Sequence, residues 1–486
     1  RNLTRETPLS MEDIKRRRDL QKELAGEGEN WRMEFLALGE KNRSQTVNGK
    51  MKKIDSAAVM DAMQKVSKME VPAWFGSPVS LVIGWLLIIG VIGSVFLSIC
   101  DMVSVDFALW WVLVQYMVVF FVCKQTLDKI DSNGGKLRHQ LIAYAQILQL
   151  INRRNFHSES GKEMQESLAD ALPSFAQLEK ILKGYDRRGN FLGLFFTDAF
   201  MLSDFFLVRS FLKWKNTYMM KMEEWMHIIS EMDAMVSMAN FRYNHPEAEE
   251  AEFVSGSPEA DTESIVSENA GIGSSEIVFD GKNLYHPFLG AKAVKNDFTI
   301  KDDNYYIITG ANMAGKSTFL RSLGVNYILA MAGMPVFADQ LKISRFRLFS
   351  SMRTTDDLTH GISYFNAELI RLEELLKFCK ESAEGNKEPL RTLIILDEIL
   401  KGTNSLDKLN GSRKFLEAIA KQPVSGIIAT HDLELSKMEN DASGKFHNYC
   451  FEIDLGTDVT YTYKIQKGVA RNQNATFLLN KILEKY

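Results

Sequence analysis

The stretch Thr309-Gly310-Ala311-Asn312-Met313-Ala314-Gly315-Lys316-Ser317-Thr318 constrains this chain more than any other. From Gly310 to Ser317 it fits the phosphate-loop pattern G-x-x-x-x-G-K-[ST]. Before it, Tyr305-Tyr306-Ile307-Ile308 is a β-branched and aromatic run that reads as a buried strand. After it, Phe319-Leu320-Arg321-Ser322-Leu323 reads as the start of a helix. Strand, glycine loop and helix in that order leave few folds open. The glycines let backbone N–H groups curl around phosphate oxygens, and the helix N-terminus adds the positive end of its dipole. In such a loop Lys316 reaches the β- and γ-phosphates of ATP, and Ser317 holds Mg²⁺.

The surrounding pattern supports a nucleotide-binding domain. From Ile277 onward strands alternate with helices, which predicts an α/β unit with a largely parallel sheet. Ile277–Phe279 and Phe298–Ile300 read as short strands, and Asp356 to Phe378 as a polar turn entering a helix. Arg391 to Leu396 (RTLIIL) reads as a buried strand ending in Asp397-Glu398, and Gly426 to Ala429 (GIIA) as another ending in Thr430-His431. Thr457 to Ile465 reads as an edge strand and Ala475 to Tyr486 as a final helix. Asp397 after an aliphatic run is placed to hold Mg²⁺ beside Ser317. Glu398 next to it can orient and deprotonate an attacking water. His431, at the end of a further buried strand, can sense the γ-phosphate by hydrogen bonding.

These residues resemble the MutS family of DNA mismatch-repair ATPases. TGANMAGKST resembles that family's T-G-P-N-M-x-G-K-S-T, with Ala311 in place of proline. Asp356 to Glu368 (DDLTHGISYFNAE) resembles D-D-L-x-x-G-x-S-T-F-x-x-E. Leu396 to Asn404 resembles the D-E-I-G-R-G-T-S motif, with departures at Leu400 and Lys401, and Ala429-Thr430-His431 matches A-T-H. Asn283 to Pro287 fits near the start of the resemblance, which covers roughly residues 280 to 486. It implies that Asn312 lines the phosphate loop with Met313, Ala314 and Gly315. It implies that Ser363 approaches the γ-phosphate bound by a partner subunit, so sites are shared across a homodimer formed through the ATPase domains. It also implies adenine stacking, for which Ala293 or Val294 and Tyr463 are the candidates.

The other half of the chain reads differently. Val79 to Cys100 and Phe107 to Cys123 are two runs of apolar residues, with Gly, Ser and a single Gln115. As a helix the first reaches about 33 Å, enough to cross a bilayer; the second is shorter but adequate with its flanks. The intervening Asp101 to Asp106 loop has two acids and no Lys or Arg, whereas Lys50, Lys52, Lys53, Lys65 and Lys68 precede the runs and Lys124, Lys129, Lys136 and Arg138 follow them. The positive-inside rule then places both flanks in the cytoplasm. Gly84, Gly90, Gly93 and Ser94 suit close helix packing, and Gln115 an interhelical hydrogen bond. Residues from about 10 to 70 and 136 to 245 have helical periodicity. The Lys15-Arg16-Arg17-Arg18 cluster suits either phosphate contact or a solvated helix face. Trp214 and Trp225, with the surrounding methionines, suit packing between long helices more than an open interface. Glu247 to Ser275 is acidic and poor in apolar residues, the composition of a flexible linker.

The expected fold is therefore α plus α/β: a helical lever-and-core region with a transmembrane helical hairpin, followed by an ABC-type P-loop ATPase domain. The expected division is residues 1–246 for the helical region containing the hairpin at 79–123, 247–275 for the linker and 276–486 for the ATPase domain. The chain opens at Arg1, which suggests a missing N-terminal part. Four scattered cysteines argue against a disulfide framework, and a net charge of −4 gives no global basic field. Together these features imply an integral protein of the cytoplasmic membrane. Its Mg²⁺-dependent ATPase faces the cytoplasm and couples dimer cycling to mismatched or branched DNA. The alternative is a membrane scaffold or ABC-type transport-related ATPase acting on proteins and not DNA. No mismatch-reading domain can be placed in the sequence.

Overall fold

The computed structural model describes residues 9–26, 29–43, 46–47, 50–51, 56–186, 191–254, 277–352, 364–384, 391–400, 404–441, 443–455, 459–471 and 483. It separates into two compact units: residues 19–241, and residues 1–18 together with 242–486.

The first unit is helical. Its elements are α1 (Met11–Gly26), α2 (Glu29–Arg43), a minimal hairpin of β1 (Thr46–Val47) and β2 (Lys50–Met51), α3 (Ser56–Ser67), α4 (Pro78–Ile99), α5 (Val105–Arg153), α6 (Glu159–Ser167), α7 (Ala171–Asp186), α8 (Phe191–Met201) and α9 (Ser203–Asn244). The first residues of α1 and the last of α9 belong to the other unit. Trp214 and Trp225 are fully buried on α9, with their indole N–H groups bonded to Ser174 and Ser167 carbonyls at 3.0 and 3.1 Å. Met222, Met226, Met232 and Met235 are buried with them, as expected for helix packing.

The apolar runs form α4 and the first part of α5, and both are long and apolar enough to cross a membrane. The second run is not a separate helix: α5 continues through 49 residues, about 74 Å. Ser77 and Ser104 cap the two helices. Gln115 donates to the Ala199 carbonyl at 2.9 Å, which makes it an interhelical bond, and its partner is α8. Gly84 faces Phe205 and Gly90 faces Trp111, whereas Gly93 meets nothing. Helix α8 (FLGLFFTDAFM) is a third apolar helix not among those expected from the sequence. Its Phe195 ring lies 5.0 Å from Tyr116.

The second unit holds two sheets. The remaining elements are β3 (Glu252–Phe253), β4 (Ile277–Leu284), β5 (Asn296–Lys301), β6 (Tyr305–Gly310), α10 (Lys316–Met331), β7 (Gln340–Ile343), β8 (Phe346–Ser351), α11 (Tyr364–Glu384), β9 (Arg391–Asp397), α12 (Ser405–Ile419), β10 (Val424–Ala429), β11 (Phe446–Leu455) and β12 (Val459–Lys467). Six strands run in the order β12-β11-β6-β10-β9-β8; all neighbours pair in parallel except β12, antiparallel at the edge. All of β6 and β10 is buried, as their unbroken apolar runs require. A separate sheet has the order β3-β7-β4-β5. It takes in the two short strands at 277–279 and 298–300, which therefore do not join the phosphate-loop sheet.

The stretch 247–275 differs from a flexible linker where it is described. Glu249 exchanges backbone bonds with Val336 at 2.9 and 2.7 Å, and Glu252-Phe253 pairs with β7. Backbone pairing needs no apolar side chains, and two of the acids are matched: Glu250 meets Arg18 at 3.3 Å and Arg242 at 3.0 Å, and Glu252 meets Lys342 at 3.1 Å. Arg18 is thereby an internal ion-pair partner and not a solvated charge. Residues 255–276, and the expected final helix at 475–486 apart from Leu483, lie outside the described residues.

Candidate functional site

Strand register builds the site. Ala429 of β10 stands opposite Ile308 of β6 on one side and Asp397 of β9 on the other. The residues that leave these strands at their carboxyl ends, Gly310, Glu398 and His431, therefore emerge side by side at the edge where α/β sheets bind ligands. Thr430 N–H donates to Ile308 O and Glu398 N–H to Ala429 O, both at 2.9 Å, which fixes the strand ends.

A cavity of about 520 Å³ opens over this edge. Its floor is Asn312 to Thr318, and Gly315, at φ 109°, sets the entry to α10 in the left-handed region that favours glycine. Ala311 packs below, 7% exposed, while Met313 is 74% exposed. The Lys316 side chain is buried, and its ammonium donates to the Gly310 and Ala311 carbonyls at 2.7 and 2.9 Å. Val294 and Tyr463 both line the cavity; Ala293 is not among its lining residues. The Tyr463 ring lies against Gly315: a Cβ there would stand 3.1 Å from its Cδ1.

Lys316, His431 and Glu398 form a chain. Lys316 Nζ is 3.3 Å from His431 Nδ1, and His431 Nε2 is 3.1 Å from Glu398 Oε1. The ammonium is also 3.5 Å from Nε2, so it sits over the ring and not on the lone pair of one nitrogen. Each ring nitrogen instead faces an oxygen acceptor, Nδ1 the Gly310 carbonyl at 3.0 Å and Nε2 the Glu398 carboxylate, and a neutral imidazole donates to one of the two. Burial lowers the His431 pKa, and the Lys316 charge lowers it further against the opposing pull of Glu398.

Two contributors had no sequence signal. Lys408 of α12 stands 3.8 Å from Glu398 Oε2, on the side away from His431. Asn296 of β5 donates to Tyr463 O at 3.0 Å and accepts from Ile465 N–H at 2.9 Å, which fastens the strand carrying Tyr463. Ser317 lies in the first turn of α10 and Asp397 is buried at the end of β9. A hydroxyl and a carboxylate are the hard oxygens that magnesium takes from a protein when phosphates and water supply the rest. Among the described residues no cluster of three or more acidic, His or Cys side chains offers an all-protein cage. Ser363 lies outside the described residues, as do Lys401, Gly402 and Thr403.

Residues 306–477 match the family model of MutS domain V. A DNA mismatch repair protein MutS from Acetivibrio thermocellus is 34% identical over 200 residues, 40% of this chain and 22% of the relative. The MutS of Lachnoclostridium phytofermentans is 32% identical over 204 residues, 39% of this chain and 21% of the relative. That of Staphylococcus haemolyticus is 26% identical over 258 residues, 52% of this chain and 26% of the relative. The matched part of the chain thus spans about a fifth to a quarter of the length of these relatives.

Proposed function

For a chain that belongs to the MutS family through its domain V, we propose ATP binding and hydrolysis at the carboxyl edge of β6, β9 and β10, driving movement of helices fixed to a membrane. The observation that carries the catalytic reading is the Lys316–His431–Glu398 chain. The phosphate-loop amides and Lys316 bind the phosphates, which draws the ammonium from the loop carbonyls. Glu398, held 3.1 Å from His431 Nε2, takes a proton from the attacking water. Ser317 and Asp397 are the residues that would hold magnesium, which would supply charge neutralisation on the phosphates. Tyr463 and Val294 supply the surfaces for the base. Ser363 of a second copy completes the site in a homodimer.

The membrane reading rests on side chains that have no protein cover. Ile89, Phe96, Ile99, Trp110 and Phe121 are each more than 60% exposed. Isolated exposed apolar residues are ordinary, but two adjoining helices of them form a patch that calls for lipid or a partner. Trp74 before α4, and Trp110 near the start of α5, stand at the two ends of the hairpin, where interfacial aromatics sit. The DNA reading rests on the relatives, which are named DNA mismatch repair proteins.

The test is ATP turnover by the detergent-solubilised chain with homoduplex, mismatched or branched DNA, and with none. Stimulation by mismatched or branched DNA above homoduplex supports the DNA reading. Turnover indifferent to every DNA overturns it and leaves the membrane scaffold acting on proteins.

A further inference from the structure

At the base of the hairpin a groove of about 950 Å³ runs between the turn before α4, the segment of α5 that follows its apolar run, and α9. Three lysines line it: Lys68 from the turn, Lys129 from α5 and Lys215 from α9. None of the three forms an ion pair with a carboxylate among the described residues, and Glu70 is the one acid in the lining. Lys215 donates to the Met69 carbonyl, and burial lowers its pKa. An ammonium losing water in a groove wall gains most from an anion entering beside it.

The level of the groove specifies the anion. Ser77, which caps α4, lines it, and so do Gln125 and Thr126, which follow Cys123, the last residue of the second apolar run. If the hairpin crosses a bilayer, these residues stand where hydrocarbon gives way to headgroups. Trp74 marks the same level: it is 46% exposed and stacked on buried Phe75 with ring centroids 4.0 Å apart. We infer that this groove binds the phosphate-bearing headgroup of an anionic phospholipid of the bilayer that holds the hairpin. The inference rests on the membrane reading of α4 and α5. Its consequence is a fixed lipid contact on α9, against the Trp214-bearing part of the helical core.

The test uses the full chain in nonionic detergent, with bound lipid counted by native mass spectrometry after addition of phosphatidylglycerol or phosphatidylcholine. Each lysine at an anionic surface contributes on the order of fivefold in affinity. The wild-type chain should retain phosphatidylglycerol at least about tenfold over phosphatidylcholine. A Lys129→Gln/Lys215→Gln variant should lose roughly thirtyfold of that binding, and the arginine pair at the same positions should keep it. Lys129→Gln alone, at an exposed position, gives the same test at about fivefold should the double variant not fold. Equal retention of the two lipids, or glutamine variants that bind as wild type does, overturns the inference. Complete displacement of the lipid by inorganic phosphate also overturns it, in favour of a soluble anion. Alkaline extraction separates the two failures. A chain released into the soluble fraction defeats the hairpin reading, whereas one retained in membranes without lipid preference defeats this inference alone.

Discussion

Gly310→Ala tests whether the phosphate loop is held by the sheet beneath it. Gly310 has φ 153°, and a Cβ there would stand 2.8 Å from the Phe451 carbonyl oxygen and 3.3 Å from Phe451 Cβ. Phe451 is the residue of β11 directly paired with Gly310, so the obstacle is sheet backbone and no rotamer change removes it. Ordinary contact begins at 3.4 Å, so loop and strand must part by roughly 0.6 Å, the difference from 2.8 Å. Overpacking of this kind costs about 1–3 kcal/mol, and an unfavourable backbone angle adds about 1–3 kcal/mol. A sum of about 2–6 kcal/mol lowers the thermal midpoint of this unit by on the order of 10 °C. Binding groups tolerate only about 0.5 Å of displacement, so ATP affinity should fall at least about tenfold. Gly444→Ala is the control: its φ is 63° but nothing lies within 4 Å of its Cβ. It should cost about 1 kcal/mol and leave ATP affinity unchanged. Calorimetry with a fluorescent ATP analogue reads both quantities on the full chain. Wild-type midpoint and affinity in Gly310→Ala would refute the reasoning.

Three further outcomes are expected. Lys316→Ala should abolish measurable ATP binding, since the loop loses its cation; equilibrium titration showing unchanged affinity would remove the phosphate-loop assignment. His431 contributes to pH dependence with a definite sign. Its folded pKa lies below the ordinary histidine value of about 6.5, so the unfolded chain takes up a proton before the native one does. Stability from this group is complete above that value and is lost as pH falls through the window down to the folded pKa. Denaturant midpoints measured across that window should fall more steeply for wild type than for His431→Gln, and parallel curves would contradict the burial argument. Cys100 is exposed at the far end of α4, whereas Cys123, Cys379 and Cys450 are buried. A membrane-impermeant maleimide applied outside sealed, right-side-out vesicles should therefore label Cys100, and labelling only after lysis would invert or sink the hairpin topology.

The parts of the site legible in the sequence are those whose chemistry leaves little choice of residue. The glycines and Lys316 of the loop, and the acids and histidine after aliphatic strands, carry their position in their type. Buried parallel strands are nearly all β-branched or aliphatic, so β6, β9 and β10 stand out, and their parallel order brings the marked residues together. Less was legible where contacts come from chain reversals. Lys408 reaches Glu398 because Glu398 and Leu400 adopt φ of 61° and 57°, a turn that neither residue type announces. Strands β7 and β8 went unmarked because half-exposed Lys and Arg interrupt their apolar residues. The pairing of Glu249 to Phe253 is made by backbone and ion pairs, which composition hides. Helix α8 is only 11 residues long, below the length that marks an apolar span.

The most direct measurement is steady-state ATP turnover of the full chain with Mg²⁺, wild type beside Glu398→Gln, with nucleotide affinity measured on both. Glutamine keeps the side-chain shape that meets His431 Nε2 but cannot take a proton from water. The expected result is near-equal affinity with turnover reduced about 10²- to 10⁴-fold. Equal turnover in the two proteins would contradict the assignment of catalysis to the edge where β6, β9 and β10 end.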